Sequence, residues 1–84
     1  MHSVALSEWI ERQDRDPISV AAELVMDGSH FAVVIVNVSG DGCQVEIHEI
    51  LPIGATVGLR LGGVSAAATV RWCSFGKAGL RFIK

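Results

Sequence analysis

The chain has 84 residues, half of them apolar, with a formal net charge of −2 and a mean hydropathy of +0.43. That length holds one small domain around one core, near the lower limit for folding alone, and excludes a cleft between lobes. Charged residues are only 19% and form no basic stripe that could displace counterions from phosphates, so a nucleic-acid polymer is excluded as partner; no apolar run approaches the roughly 18 residues of a membrane span.

Residues 1–16 read as a lead-in. The first residues carry no basic stretch and soon meet Glu8 and Glu11, unlike a secretory signal. Ser7 is placed to cap a short helix, with Trp9 and Ile10 turned back on the core; the alternative is a flexible segment. Pro17 pushes Asp16 toward extended backbone, and residues 17–84 read as strands. Ile18, Val20, Ala22, Leu24 and Met26 alternate with Ser19, Ala21, Glu23 and Val25, and Asp27-Gly28 closes that strand with hairpin chemistry. Phe31 to Val38 is apolar on both faces and stops at Ser39-Gly40-Asp41-Gly42. Cys43, Val45 and Ile47 alternate with Gln44, Glu46 and His48. Leu51-Pro52-Ile53-Gly54 reads as a connector. Val57, Leu59 and Leu61 make a fourth strand, ending at Gly62-Gly63. Val64, Ala66, Ala68, Val70 and Trp72 make a fifth, and Leu80 and Phe82 belong to the sixth, after the turn Ser74-Phe75-Gly76-Lys77. Six short strands at close spacing, with no βαβ rhythm and no repeat, predict an all-β fold, a small six-stranded antiparallel barrel. Its core is expected to include Val20, Leu24, Val36, Val45, Leu59, Val70 and Phe82, with Trp72 packed on the same parity.

Enzyme templates find no residues. His2, His30 and His48 are scattered without metal-ligand spacing, so neither metal nor cofactor is expected. Ser39 lacks the context of a nucleophile elbow, and the glycines around it precede no helix that would cradle phosphate. Cys43 and Cys73 stand alone and are expected as free thiols in a cytoplasmic protein. A binding module is favoured over an enzyme. Two segments carry the chemistry: Arg12-Gln13-Asp14-Arg15 before the first strand, and Asn37-Val38-Ser39-Gly40-Asp41-Gly42 after the second. If Val34, Val36 and Val38 point to the core, then Val33, Ile35, Asn37 and Ser39 share the outer face. Asn and Ser there offer donors and acceptors beside glycines, and guanidinium groups bind phosphates bidentately and stack on flat rings. The combination suits a flat, anionic, purine-containing ligand. The alternative for Arg12 and Arg15 is surface pairing with Glu8, Glu11, Asp14 or Asp16; for Asn37, Ser39 and Gly42 it is turn formation alone.

These residues resemble the PilZ domain, the bacterial receptor for cyclic di-GMP, whose pattern is R-x-x-x-R in a lead-in followed by D/N-x-S-x-x-G on the barrel surface. Asn37, Ser39 and Gly42 match the second motif. Supporting similarity lies in Arg15-Asp16-Pro17-Ile18, in Leu51 to Val57, in Val70-Arg71-Trp72 and in Ala78 to Phe82. The resemblance implies a barrel that binds cyclic di-GMP through Arg12, Arg15, Asn37, Ser39 and Gly42 and signals through an effector protein. The first motif departs from the family: Arg15 holds the place of the second arginine, but Glu11 stands where the first belongs and Arg12 comes one residue late. An acid beside a phosphate costs about 1 kcal/mol even at water-like screening. The second expectation is therefore a PilZ-like barrel that does not bind the nucleotide and acts as a protein-interaction module.

Overall fold

The computed structural model describes residues 18–83; the proposed N-terminal helix or lead-in, with Arg12 and Arg15, lies outside the described residues. Six strands follow in chain order: β1 (Val20–Met26), β2 (Ser29–Val38), β3 (Gly42–Glu46), β4 (Thr56–Leu61), β5 (Val64–Ser74) and β6 (Lys77–Phe82). All neighbours are antiparallel, and the sheet closes into a barrel in the order β1-β2-β3-β6-β5-β4. The expected all-β barrel is therefore the fold. The third strand is shorter than its alternation suggests, ending at Glu46, although Ile47 continues inward and its N–H donates to the Gly76 carbonyl at 3.0 Å.

The turn chemistry works as read. Asp27 and Gly28 take φ values of 50° and 79°, the two left-handed residues of a two-residue hairpin turn, and so place Met26 opposite Ser29. That register carries through the whole β1–β2 pair, setting Leu24 opposite Phe31, Ala22 opposite Val33 and Val20 opposite Ile35. Residues directly opposite in an antiparallel pair share a face. With Leu24 inside, Phe31, Val33 and Ile35 go inside too.

This corrects the expected parity of β2. Val33 and Ile35 are core residues, 3% and 1% exposed, whereas Val36 is half-buried outside the core cluster. A strand apolar on both faces gives its own periodicity nothing to choose with; the hairpin register chooses instead. Of the expected core, Leu24, Val45, Leu59, Val70 and Phe82 are buried and Val20 packs against them from a partly buried position. Trp72 is also corrected: it lies outside, 37% exposed. The Trp72 discrepancy comes from a β-bulge, and β2 carries a matching one. On β2, Ile35 faces Val45 and Asn37 faces Gln44, leaving Val36 as the extra residue. On β5, Val70 faces Leu80 and Trp72 faces Gly79, leaving Arg71 as the extra one. Each bulge flips the alternation after it, so Val38 and Cys73 turn toward the core while Asn37 and Trp72 turn to solvent.

Leu51, read as part of a connector, is 2% exposed and is one of the largest fully buried side chains. The β3–β4 loop that carries it is fastened to β5: the Leu51 N–H donates to Cys73 Sγ at 3.4 Å, Gly54 N–H to the Val70 carbonyl at 2.7 Å, and Val70 N–H to the Ala55 carbonyl at 2.9 Å. No helix among the described residues is long and apolar enough to cross a membrane.

Cys43 and Cys73 are free thiols, and burial pushes the Cys43 thiol up from 9.0 to about 12. Unfolding returns that thiol to its ordinary value. Its contribution to stability is therefore complete below roughly pH 9 and is lost as the pH rises from there toward 12. The chain has no tyrosine to obscure this window. Urea midpoints measured between roughly pH 8 and 10.5 should fall for the parent and fall less steeply for Cys43→Ala, which lacks the buried thiol.

Candidate functional site

The two bulges flank the β3–β6 pair, one on each neighbouring strand, and together they assemble a row on the outer face. Asn37 of β2 faces Gln44 of β3, Gln44 faces Gly79 of β6, and Gly79 faces Trp72 of β5. Four strands thus contribute one residue each to a continuous line: an amide, an amide, bare backbone and an indole. Gly79 is bare for a steric reason. A Cβ built there would collide with the Trp72 ring, so the indole lies flat across the glycine.

Gly42 is constrained in the same way by different atoms. A Cβ on it would run into the Leu80 carbonyl, because β3 and β6 approach closely where the pair begins. The Ser39–Asp41 loop is closed from the same residue: Ser39 N–H donates to the Gly42 carbonyl at 2.8 Å, the Ser39 hydroxyl to that carbonyl at 3.4 Å, and Asp41 N–H to Ser39 Oγ at 3.4 Å. Phe82 N–H, in turn, donates to the Asp41 carbonyl at 2.8 Å. The motif residues therefore meet the turn-forming role as well as standing at the head of the row. The Asn37 side chain makes no hydrogen bond among the described residues and is exposed.

Around this row lies an open depression of ≈ 310 Å³ whose polar and aromatic lining is Asn37, Ser39, Gln44, Arg71, Trp72 and Arg81, with Asp41 at its edge. Arg71 is the bulged residue beside Trp72, and Arg81 stands opposite Gly42. Neither guanidinium pairs with a carboxylate among the described residues; the ion pairs there involve Glu23, which meets His30 Nδ1 at 3.1 Å and Arg60 at 3.6 Å, away from the depression. Two cations to one carboxylate make the depression locally positive on a chain of net charge −2. Stacking of a planar heterocycle on an indole contributes about 1–3 kcal/mol, and a hydrogen bond to a charged group about 1.5–3 kcal/mol. The surface suits a flat ligand with hydrogen-bonding edges and negative charge.

Asn37, Ser39 and Gly42 are thus brought together at one end of the depression, while Arg12 and Arg15 lie outside the described residues. Sequence reasoning did not assign Gln44, Arg71, Trp72 or Arg81 to the site. Among the described residues no cluster of His, Cys, Asp and Glu is arranged to hold a metal ion. A family model described as PilZ domain matches residues 10–84. No curated protein matches the chain.

The steric roles of the two glycines separate by experiment. Gly42→Ala presses a methyl group into backbone and should lower stability by about 1–3 kcal/mol in urea denaturation. Gly79→Ala meets only a side chain and should cost less, but should move the indole. In a Trp9→Phe background, Trp72 emission should shift to the red with the far-UV spectrum unchanged. An unshifted spectrum would show that the indole does not rest on Gly79.

Proposed function

The chain belongs to the PilZ domain family, and from that premise we propose that it is a bacterial cytoplasmic receptor that binds cyclic di-GMP on the β2–β3–β6–β5 face and signals through an effector protein. The family is generally one of cyclic di-GMP binding modules, binding and adaptor domains rather than catalysts. The observation that carries the reading is the row Asn37–Gln44–Gly79–Trp72, which starts at the family motif and ends at an aromatic ring flanked by Arg71. A guanine laid along it would meet amide donors and acceptors from Asn37 and the hydroxyl of Ser39, with Trp72 available for stacking. Gly42 keeps the backbone of β3 low at the head of the site.

The first described strand runs beside the motif strand. Ile18 packs against the core, and Val20 faces Ile35, two residues before Asn37. Arg15 is three residues ahead of Ile18, a span of at most about 10 Å of chain. In this reading its guanidinium pairs with a ligand phosphate, where bidentate geometry favours arginine. A ligand held by the lead-in and the barrel together stabilises the arrangement in which the two are joined, and that preference is what shifts a population toward a signalling state. One observation favours the second reading, an interaction module without nucleotide: Glu11 occupies the family's first arginine position.

Titration calorimetry with cyclic di-GMP decides between them. Arg15→Ala should weaken binding by about 1.5–3 kcal/mol, and Ser39→Ala by about 0.5–1.5 kcal/mol, a charged against a neutral hydrogen bond. Trp72→Ala should weaken it by about 1–3 kcal/mol through lost stacking. Glu11→Arg removes a repelling charge and restores the family spacing, so it should tighten binding. If parent and Glu11→Arg both stay folded and take up no heat, the interaction-module reading stands.

A further inference from the structure

A second concavity opens over β1, β2 and the end of β3. It is a groove of ≈ 650 Å³ whose lining includes the small apolar side chains Ala21, Ala32 and Val34, with Glu46, Lys77 and Phe75 on its far side. We propose that this groove is the seat of the chain's own N-terminal segment, with Trp9 as the inserted side chain and Leu6 and Ile10 beside it, and that the seat forms without any nucleotide.

The outer surface of β2 is built to be covered. An antiparallel strand with one wet face alternates apolar with polar residues. On β2, however, the outward positions Ala32 and Val34 and the bulged Val36 are all apolar. Ala21, opposite Val34 on β1, continues that surface and is exposed. Phe75 adds a fully exposed ring on the far side, in the turn between β5 and β6, where small or polar residues are the rule.

The chain itself supplies the occupant. Residues 1–17 precede Ile18, and Ile18 is only three residues from Ala21 of the groove. Among them Leu6, Trp9 and Ile10 recur at i, i+3 and i+4, the spacing of one helical face. The nine residues from Trp9 to Ile18 span up to about 30 Å, ample for a groove that begins so close to Ile18. A segment tied this closely meets its seat at about millimolar effective concentration, which a free partner has to match. Alanines leave room for an indole, and Phe75 offers it an aromatic edge. Glu8, the neighbour of Trp9, brings a carboxylate toward Lys77, which makes no salt bridge among the described residues.

Seating Trp9 makes an arch of the arginine segment. Arg12 and Arg15 then lie between an anchor at Trp9 and an anchor at Ile18, which packs against the core. Under the reading proposed above, the arch spares a nucleotide part of the cost of ordering those arginines; the seat itself does not depend on that reading.

The test uses the full chain without nucleotide, carrying Trp72→Phe so that Trp9 is the one remaining indole. Trp9 emission should lie to the blue of the same chain in urea and resist quenching by acrylamide. Ala32→Glu places a charge in the groove at an exposed position. It should shift the emission to the red and raise quenching toward the unfolded value, with the far-UV spectrum unchanged. Phe75→Ser should move both in the same direction to a smaller extent. In the parent, nuclear Overhauser contacts should join the Trp9 ring to the methyl groups of Ala32 and Val34, a readout that needs no substitution in the groove. An indole already exposed in the Trp72→Phe chain overturns the proposal and leaves the groove to another occupant. A protected indole indifferent to Ala32→Glu, with no contact to Ala32 or Val34, overturns it equally, since Trp9 then packs elsewhere.

Discussion

Closure of the sheet is the constraint on which everything else rests, and it depends on a short seam. β1 and β4 pair over three positions, with Leu24 opposite Leu59 at the centre, and both side chains are wholly buried. A six-stranded barrel has a narrow interior, so each strand can send in only a few side chains, and those must fill it without voids. Leu24 and Leu59 meet Val45, Val57, Val70 and Ile35 there, and Leu51 fills space from the β3–β4 loop. Closing the ring leaves no strand with an unpaired edge along the seam, which removes the usual hazard of edge-to-edge aggregation in a small β protein.

Filling the interior decides what the exterior looks like. On the side away from the seam, β2 and β5 each gain a residue against their partners, at Val36 and at Arg71. The inside is continued by Val38 and Cys73 beyond those points, and the outside receives Asn37 and Trp72 in place of apolar side chains that strict alternation would have put elsewhere. The candidate site is thus a by-product of barrel geometry as much as of the motif. The glycines serve that geometry too: Gly42 allows β3 to approach β6, and Gly79 provides the flat bed for an indole.

The strands, their number and their turns were legible because they rest on local chemistry: alternation of apolar residues, and Asp27-Gly28, Gly62-Gly63 and Phe75-Gly76 at the tips. The parity of β2 was legible in principle. The two-residue turn at Asp27-Gly28 sets Leu24 against Phe31, and following that register would have placed Val33 and Ile35 inside. Reading the strand alone could not, since both its faces are apolar. The bulges were not legible, because nothing local at Val36 or Arg71 marks an inserted residue; a bulge is a relation between two strands. Trp72 was lost for that reason and Leu51 for another, that a buried loop residue has no periodicity to announce it. Asn37, Ser39 and Gly42 were found from their spacing, whereas Gln44, Arg71 and Arg81 reach the same surface only through pairing between strands distant in sequence.

The extra residues at Val36 and Arg71 also set what kinds of genetic change this surface can absorb. A substitution at either position alters one exposed or half-exposed side chain and leaves the alternation intact. Loss of a single codon at either one removes only the extra residue: Ile35 and Asn37 then follow directly opposite Val45 and Gln44, Val70 and Trp72 opposite Leu80 and Gly79, and every residue beyond keeps its face. Removing Val36 would straighten β2 and leave Asn37 outside and Val38 inside; removing Arg71 would straighten β5 and leave Trp72 outside and Cys73 inside, at the cost of one cation of the depression. Drift by replacement and drift by one residue of length are therefore both absorbed at these two places, so a lineage of such barrels should vary there in residue type and in strand length while keeping the same residues inside.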